Sequence, residues 1–206
     1  MSTPRGWYSR GYIPHIDAGD KPQFITWRLA DALPASVLDA WVKELAQVGD
    51  EERKRELSKR IEVYCDAGHG SCVLRDPRVA RIVQETLFEA HGKSLELHRW
   101  AVMPNHAHVL VTPTNSSLAD TVKKLKGASA RQINDLLRRS GRLWQPGFFD
   151  RLIRTTDQFE GTGQYIEWNP RKAKLCQDPT LWAWSSANPD AWARLELLVS
   201  RRSQTH

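Results

Sequence analysis

The chain has 206 residues, 40% of them hydrophobic and 26% charged, with a net charge of +6. That length suits one domain with additions and a proper core. No apolar run reaches the length of a membrane-spanning helix, and the first residues carry no charged-then-apolar signal. Three cysteines, Cys65, Cys72 and Cys176, form an odd set that suits a reducing compartment better than a disulfide framework. A cytoplasmic location is therefore expected. There is no internal repeat, low-complexity tract or glycine-rich phosphate loop.

In chain order, residues 1–20 read as an N-terminal arm containing Gly and Pro. Pro22 to Ala30, with Phe24, Ile25, Trp27 and Leu29, predicts a first strand. Between residues 34 and 66 two helical pieces follow. Val37, Leu38, Trp41 and Leu45 share one face of the first, Leu57, Ile61 and Tyr64 one face of the second, and Gly49-Asp50 breaks them. Asp76-Pro77 signals the start of a helix reaching His91. Strands are predicted at Leu95 to Met103 and His106 to Thr112, with Pro104-Asn105 as the turn. A helix from about Leu118 to Arg139, a strand from Phe148 to Arg154 and a helix carrying Tyr165 complete the pattern. Pro170 should end that helix near Asn169, and Gly161 and Gly163 should weaken its start. Beyond Leu175 come Leu181-Trp-Ala-Trp-Ser-Ser186 and a helix-like tail. This alternation predicts an α+β, ferredoxin-like sandwich, one antiparallel sheet with helices packed on it.

His106 and His108 are the sharpest chemical feature. In a strand, residues i and i+2 point to one face, so both imidazoles can converge on one divalent cation. In the last helix, Asn169 follows Tyr165 by one turn and shares its face. Positive charge is uneven: Lys123 to Lys174 holds twelve Lys and Arg against five Asp and Glu. Lys123, Lys124, Lys126, Arg131, Arg138 and Arg139 read as one basic helix, Arg151 and Arg154 flank the tyrosine, and Arg171 and Lys172 follow it. Such a stretch suits phosphate neutralisation on a nucleic acid. Nine tryptophans can stack on unpaired bases or fill a core. Trp41, Trp100 and Trp182 are read as core, and Trp7 and Trp168 have the better claim to a site. Cys65, His69 and Cys72 offer only three ligands to a zinc ion, in a glycine-rich segment.

Met103-Pro-Asn-His-Ala-His-Val-Leu-Val111 resembles the His-hydrophobic-His motif of the HUH nucleases, in particular the single-tyrosine, IS200-like transposases and their REP-associated tyrosine transposase relatives. Leu143-Trp-Gln-Pro-Gly-Phe-Phe-Asp-Arg-Leu-Ile-Arg154 and Tyr165-Ile-Glu-Trp-Asn-Pro-Arg-Lys-Ala-Lys-Leu175 are similar to two further elements of that family, in the same order. Trp7-Tyr-Ser-Arg-Gly-Tyr-Ile-Pro14 is similar to one subgroup. Arg171 stands where the family often has a small apolar residue, and Lys174 where it often has glycine.

The resemblance implies an HUH nuclease fold over 21–176, with 34–66 as a helical insertion and 177–206 as a C-terminal extension. It makes Tyr165 the nucleophile and Asn169 the third metal ligand beside His106 and His108. The implied cofactor is Mg²⁺, with Mn²⁺ able to substitute. The implied activity is cleavage and strand transfer on single-stranded, hairpin-containing DNA through a 5′-phosphotyrosine. A catalytically retired hairpin-binding protein on the same scaffold is the alternative. Whether the tyrosine acts in a monomer or across a homodimer stays open, and no membrane partner is expected.

Overall fold

The computed structural model describes residues 6–9, 14–17 and 20–204, the first two segments by backbone alone. Strands β1 (Gly6–Ser9) and β2 (Pro14–Asp17) pair antiparallel within the expected arm. Strand β3 (Gln23–Arg28) begins the main sheet. Helices α1 (Ala35–Glu44), α2 (Asp50–Asp66) and α3 (Pro77–Ala90) follow, then the hairpin β4 (Leu95–Val102) and β5 (His106–Pro113). Helix α4 (Leu118–Leu136), strand β6 (Phe149–Leu152), α5 (Thr156–Lys172) and α6 (Pro189–Ser203) complete the chain. The sheet order is β4-β5-β3-β6, antiparallel throughout, which is the ferredoxin-like arrangement expected.

Both faces of this sheet are covered, which is why β5 is buried along nearly its whole length. On one face Ile25, Trp27, Val109 and Val111 meet Val83 and Leu87 of α3 and Val122 and Ile133 of α4. Leu95, Leu97, Trp100 and Val102 of β4 join that core although their spacing is not uniform, because a bulge between Leu97 and Arg99 resets the alternation. Trp100 is fully buried, and its indole donates to Gln84 Oε1 at 3.0 Å. On the other face Phe24, Ala101, Met103 and Leu110 meet Ile153 and Ile166, with α5 lying across them.

Local sequence fixes the helix starts. Asp76 accepts from Arg78 N with Pro77 at the first helical position, Ser117 accepts from Asp120 N, and Thr155 accepts from Gln158 N. Helix α5 departs from expectation at both ends. It starts at Thr156, so Gly161 and Gly163 lie inside it, and Gly163 leaves room for Arg99, whose Cγ would sit 3.2 Å from an added Cβ. It also runs two residues past Pro170. A proline this near the end loses only one intrahelical bond, and the helix closes on Lys174 at φ +58°, with Leu175 N donating to Pro170 O and Lys174 N to Arg171 O. Helix α4 ends at Leu136, so Arg138 and Arg139 lie beyond it. No helix among the described residues is long and apolar enough to cross a membrane.

Candidate functional site

The site lies on the sheet face that α5 covers. His106 and His108 alternate with Ala107 on β5, so both imidazoles project from that face. Across the strand pair Thr26 sits opposite His108 and Arg28 opposite His106. Both histidines are almost inaccessible, at 1% and 3% exposure.

The His106 tautomer follows from the hydrogen bonds around it. Asn105 Nδ2 donates to Cys65 O at 3.0 Å and His69 O at 2.8 Å, so Asn105 Oδ1 must be the acceptor facing His106 Nδ1 at 2.7 Å. His106 therefore carries its proton on Nδ1 and offers a lone pair at Nε2. His108 Nδ1 is held by Thr26 Oγ1 at 2.7 Å, and the two Nε2 atoms face each other at 3.0 Å. This is the arrangement by which outer partners orient imidazoles toward a metal. Burial first, then the charges of His108 and Arg28, holds His106 well below the usual imidazole range. Burial, Lys172 and Arg28 push His108 down to about 3, so both rings stay neutral and able to ligate at neutral pH.

Helix α5 brings Tyr165, Asn169 and Lys172 to the same place, at positions i, i+4 and i+7. Asn169 is 1% exposed, its Nδ2 lies 3.4 Å from His108 Nε2, and its Oδ1 is buried without a hydrogen-bond partner. The Tyr165 ring meets Phe24 edge-on at 5.8 Å and His108 at 5.6 Å. Phe24 in turn stacks on His108 at 5.6 Å and lies under the Arg151 guanidinium, also at 5.6 Å. Burial raises the Tyr165 hydroxyl well above its ordinary value. Charges on Glu62 and Asp66 and a hydrogen bond with Glu62 add to this, while a bond with Asn169 opposes it.

Helix α2 supplies what sequence reasoning missed. Asp66 Oδ1 lies 3.6 Å from His106 Nε2, and both its carboxylate oxygens are buried without a hydrogen bond. Burial pushes this carboxyl up to about 6, with Lys172 opposing and Glu62 reinforcing. Lys172 Nζ lies 2.6 Å from Glu62 and 3.8 Å from Asp66, joining α5 to α2. Asp66, His106 and His108 offer ligand atoms within 4.8 Å of one another, the metal-ready cluster found among the described residues. Cys65, His69 and Cys72 form no such cluster there, since Cys72 Sγ is turned to Gly68 O. Arg28, charged and on the same strand face as Phe24 and Thr26, is a further sequence signal, beside the histidine pair, of a polar site under this sheet.

A cleft of about 620 Å³ opens between α2 and the sheet, with His106, His108, Tyr165 and Arg151 on one side and Arg55 and Lys59 on the other. Of the basic residues singled out from the sequence, Arg151 and Lys172 reach the site. Arg171 lies at 4.7 Å over Trp168, which is 46% exposed, at the outer end of α5. Arg154 is exposed just before α5. Lys123, Lys124 and Arg131 are exposed on α4, which packs on the opposite face of the sheet. Lys126 donates to Gln145 O and Gly147 O. Trp41 and Trp182 are half-buried, and the side chain of Trp7 lies outside the described residues.

Residues 73–169 match the family model described as transposase IS200-like. The match runs through the histidine pair and ends on Asn169, so the resemblance carried by the motif blocks is borne out. A solved structure described as a REP-associated tyrosine transposase bound to a REP hairpin shares the fold. Its TM-score is 0.55 at 16% identity, over 90% of this chain and 82% of that one. A second, described as a putative transposase from Deinococcus radiodurans R1, aligns at TM-score 0.32 and 21% identity over 79% of this chain and 96% of that one. No curated protein matches the chain.

Proposed function

We propose that this protein is a metal-dependent endonuclease and strand transferase acting on single-stranded, hairpin-containing DNA, with Tyr165 as its nucleophile. The observation that carries this reading is the meeting of Tyr165 and Asn169 of α5 with the His106–His108 pair of β5 at one cleft. The donor set fits a divalent cation: two imidazole Nε2 atoms 3.0 Å apart, and an Asn169 Oδ1 buried without a partner. Mg²⁺, or Mn²⁺ in its place, would be held by His106, His108 and Asn169, and would supply Lewis acidity and a template for in-line displacement.

The chain's own residues do the rest. Arg151, across Phe24 from the tyrosine, is placed to hold a phosphate of the strand. Tyr165 Oη forms a bond to phosphorus while the bond to the 3′-oxygen breaks. The phenol proton passes to the Glu62 carboxylate, its hydrogen-bond partner, and the released 3′-oxygen takes a proton from solvent. The 5′-phosphotyrosine conserves the bond energy, so attack by another 3′-hydroxyl rejoins DNA without a nucleotide cofactor. Lys123, Lys124, Lys126, Arg131, Arg154 and Arg171 complete the proposed DNA-binding set, those on α4 at a distance from the chemistry.

The test is cleavage of a labelled single-stranded hairpin from DNA flanking the gene. Product formed with Mg²⁺, and lost both in EDTA and in Tyr165→Phe, is expected. Tight binding without cleavage under any metal would support the retired, binding-only protein instead.

A further inference from the structure

We infer that Asp66 is a further protein ligand of the cation at the histidine pair, so that metal binding fastens helix α2 to the nuclease sheet. The inference rests on the proposed metal site and extends it to an element, α2, that lies outside the stretch matching the IS200-like family model.

The geometry gives Asp66 no hydrogen bond and only long contacts, 3.6 Å to His106 and 3.8 Å to Lys172. Its side chain is 11% exposed, and neither oxygen has a hydrogen-bond partner. A buried carboxylate without partners is costly unless a positive charge meets it. Lys172 is the cation nearby, but its side chain is 55% exposed and it makes its close contact, 2.6 Å, with Glu62 rather than Asp66. On its other side Asp66 faces His106 Nε2, which the Asn105 contact leaves unprotonated, so one more lone pair points at the carboxylate. Asp66, His106 Nε2 and His108 Nε2 thus lie within 4.8 Å of one another, close enough to share one cation. Two imidazoles and a carboxamide are all neutral. A carboxylate adds the charge that a hard divalent ion favours.

The consequence is mechanical as well as chemical. Asp66 is the last residue of α2, and Asn105, between the turn and the histidines, already ties the Cys65 and His69 carbonyls down beside it. A ligand bond at Asp66 holds this end of α2 against the sheet. It thereby fixes Arg55 and Lys59, further along the same helix, as the second wall of the cleft.

The experiment titrates Mn²⁺ into the chelator-stripped full chain by calorimetry, for wild type, Asp66→Asn, Asp66→Glu and His106→Ala. Amide exchange along α2 is followed with and without Mn²⁺. The expected results are binding weakened about tenfold or more in Asp66→Asn, largely kept in Asp66→Glu, and Mn²⁺-dependent protection of α2 in wild type that Asp66→Asn lacks. Wild-type affinity and wild-type protection in Asp66→Asn, with binding abolished in His106→Ala, would overturn the role of Asp66 alone. A wild-type chain that binds no Mn²⁺ would overturn the metal site and this inference together.

Discussion

Lys174 holds a left-handed conformation, φ +58°, where the related family often carries glycine. A side chain there costs about 1 kcal/mol, and glycine removes that cost while adding some unfolded-state entropy. Lys174→Gly should therefore raise the melting temperature, and a lowered one would mean that the Lys174 side chain stabilises the turn. At the histidines, Asn105→Ala removes the acceptor that fixes the His106 tautomer. Metal affinity should fall by about 10–100-fold, measurable by Mn²⁺ titration.

The same buried rings set the acid response of the metal-free protein. His106 and His108 lie below the 6.5 of a free imidazole, His108 at about 3, so below pH 6.5 the unfolded chain takes up protons that the folded one refuses. Stability is lost from there downward. Asp66 has the opposite sign: between about 6 and 3.8 the folded form binds a proton that the unfolded form does not, which adds stability. Two rings outweigh one carboxyl. In EDTA the urea midpoint should drop between pH 7 and 4, and drop less in a His106→Gln, His108→Gln double variant. An equal drop would show that the pair is not the source.

Among the elements, α5 was the most legible and also the most instructive. Its four-residue spacing alone puts Tyr165 and Asn169 on one face, because helical periodicity is local information. Its ends were misread because a cap at Thr155 and a closing turn at Lys174 outweigh two glycines and a proline in deciding where a helix begins and stops. Gly161 sits in that helix with open space around its Cα. Gly161→Ala should stabilise the fold by about 1 kcal/mol in thermal unfolding. Helix α2 was legible as a helix but not as part of a site. Asp66 and His106 are forty residues apart, and nothing in the amphipathic pattern of 50–66 says which of its acids turns inward.

At the scale of the whole molecule, the sequence revealed how much positive charge the chain carries but not on which side of the sheet it falls. Helix α4, with Lys123, Lys124 and Arg131, packs opposite the histidines, whereas Arg151, Arg55 and Lys59 line the cleft beside them. Binding of a labelled single strand across a salt series should therefore respond unequally. Arg151→Ala should weaken it and lower the slope of log affinity against log salt by about 0.7, the value for one phosphate contact on a single strand, while Lys124→Ala should do less. Equal effects would mean that the strand wraps both faces.

The proposed nucleophile can be tested directly. Wild-type protein is incubated with the hairpin strand and Mg²⁺, digested with trypsin and nuclease, and the nucleotide-bearing peptide is sequenced by mass spectrometry. A 5′-phosphonucleotide on Tyr165, the sole tyrosine of the tryptic peptide 155–171, is the expected result. A nucleotide on any other residue, or strand cleavage with no covalent peptide at all, would contradict the assignment.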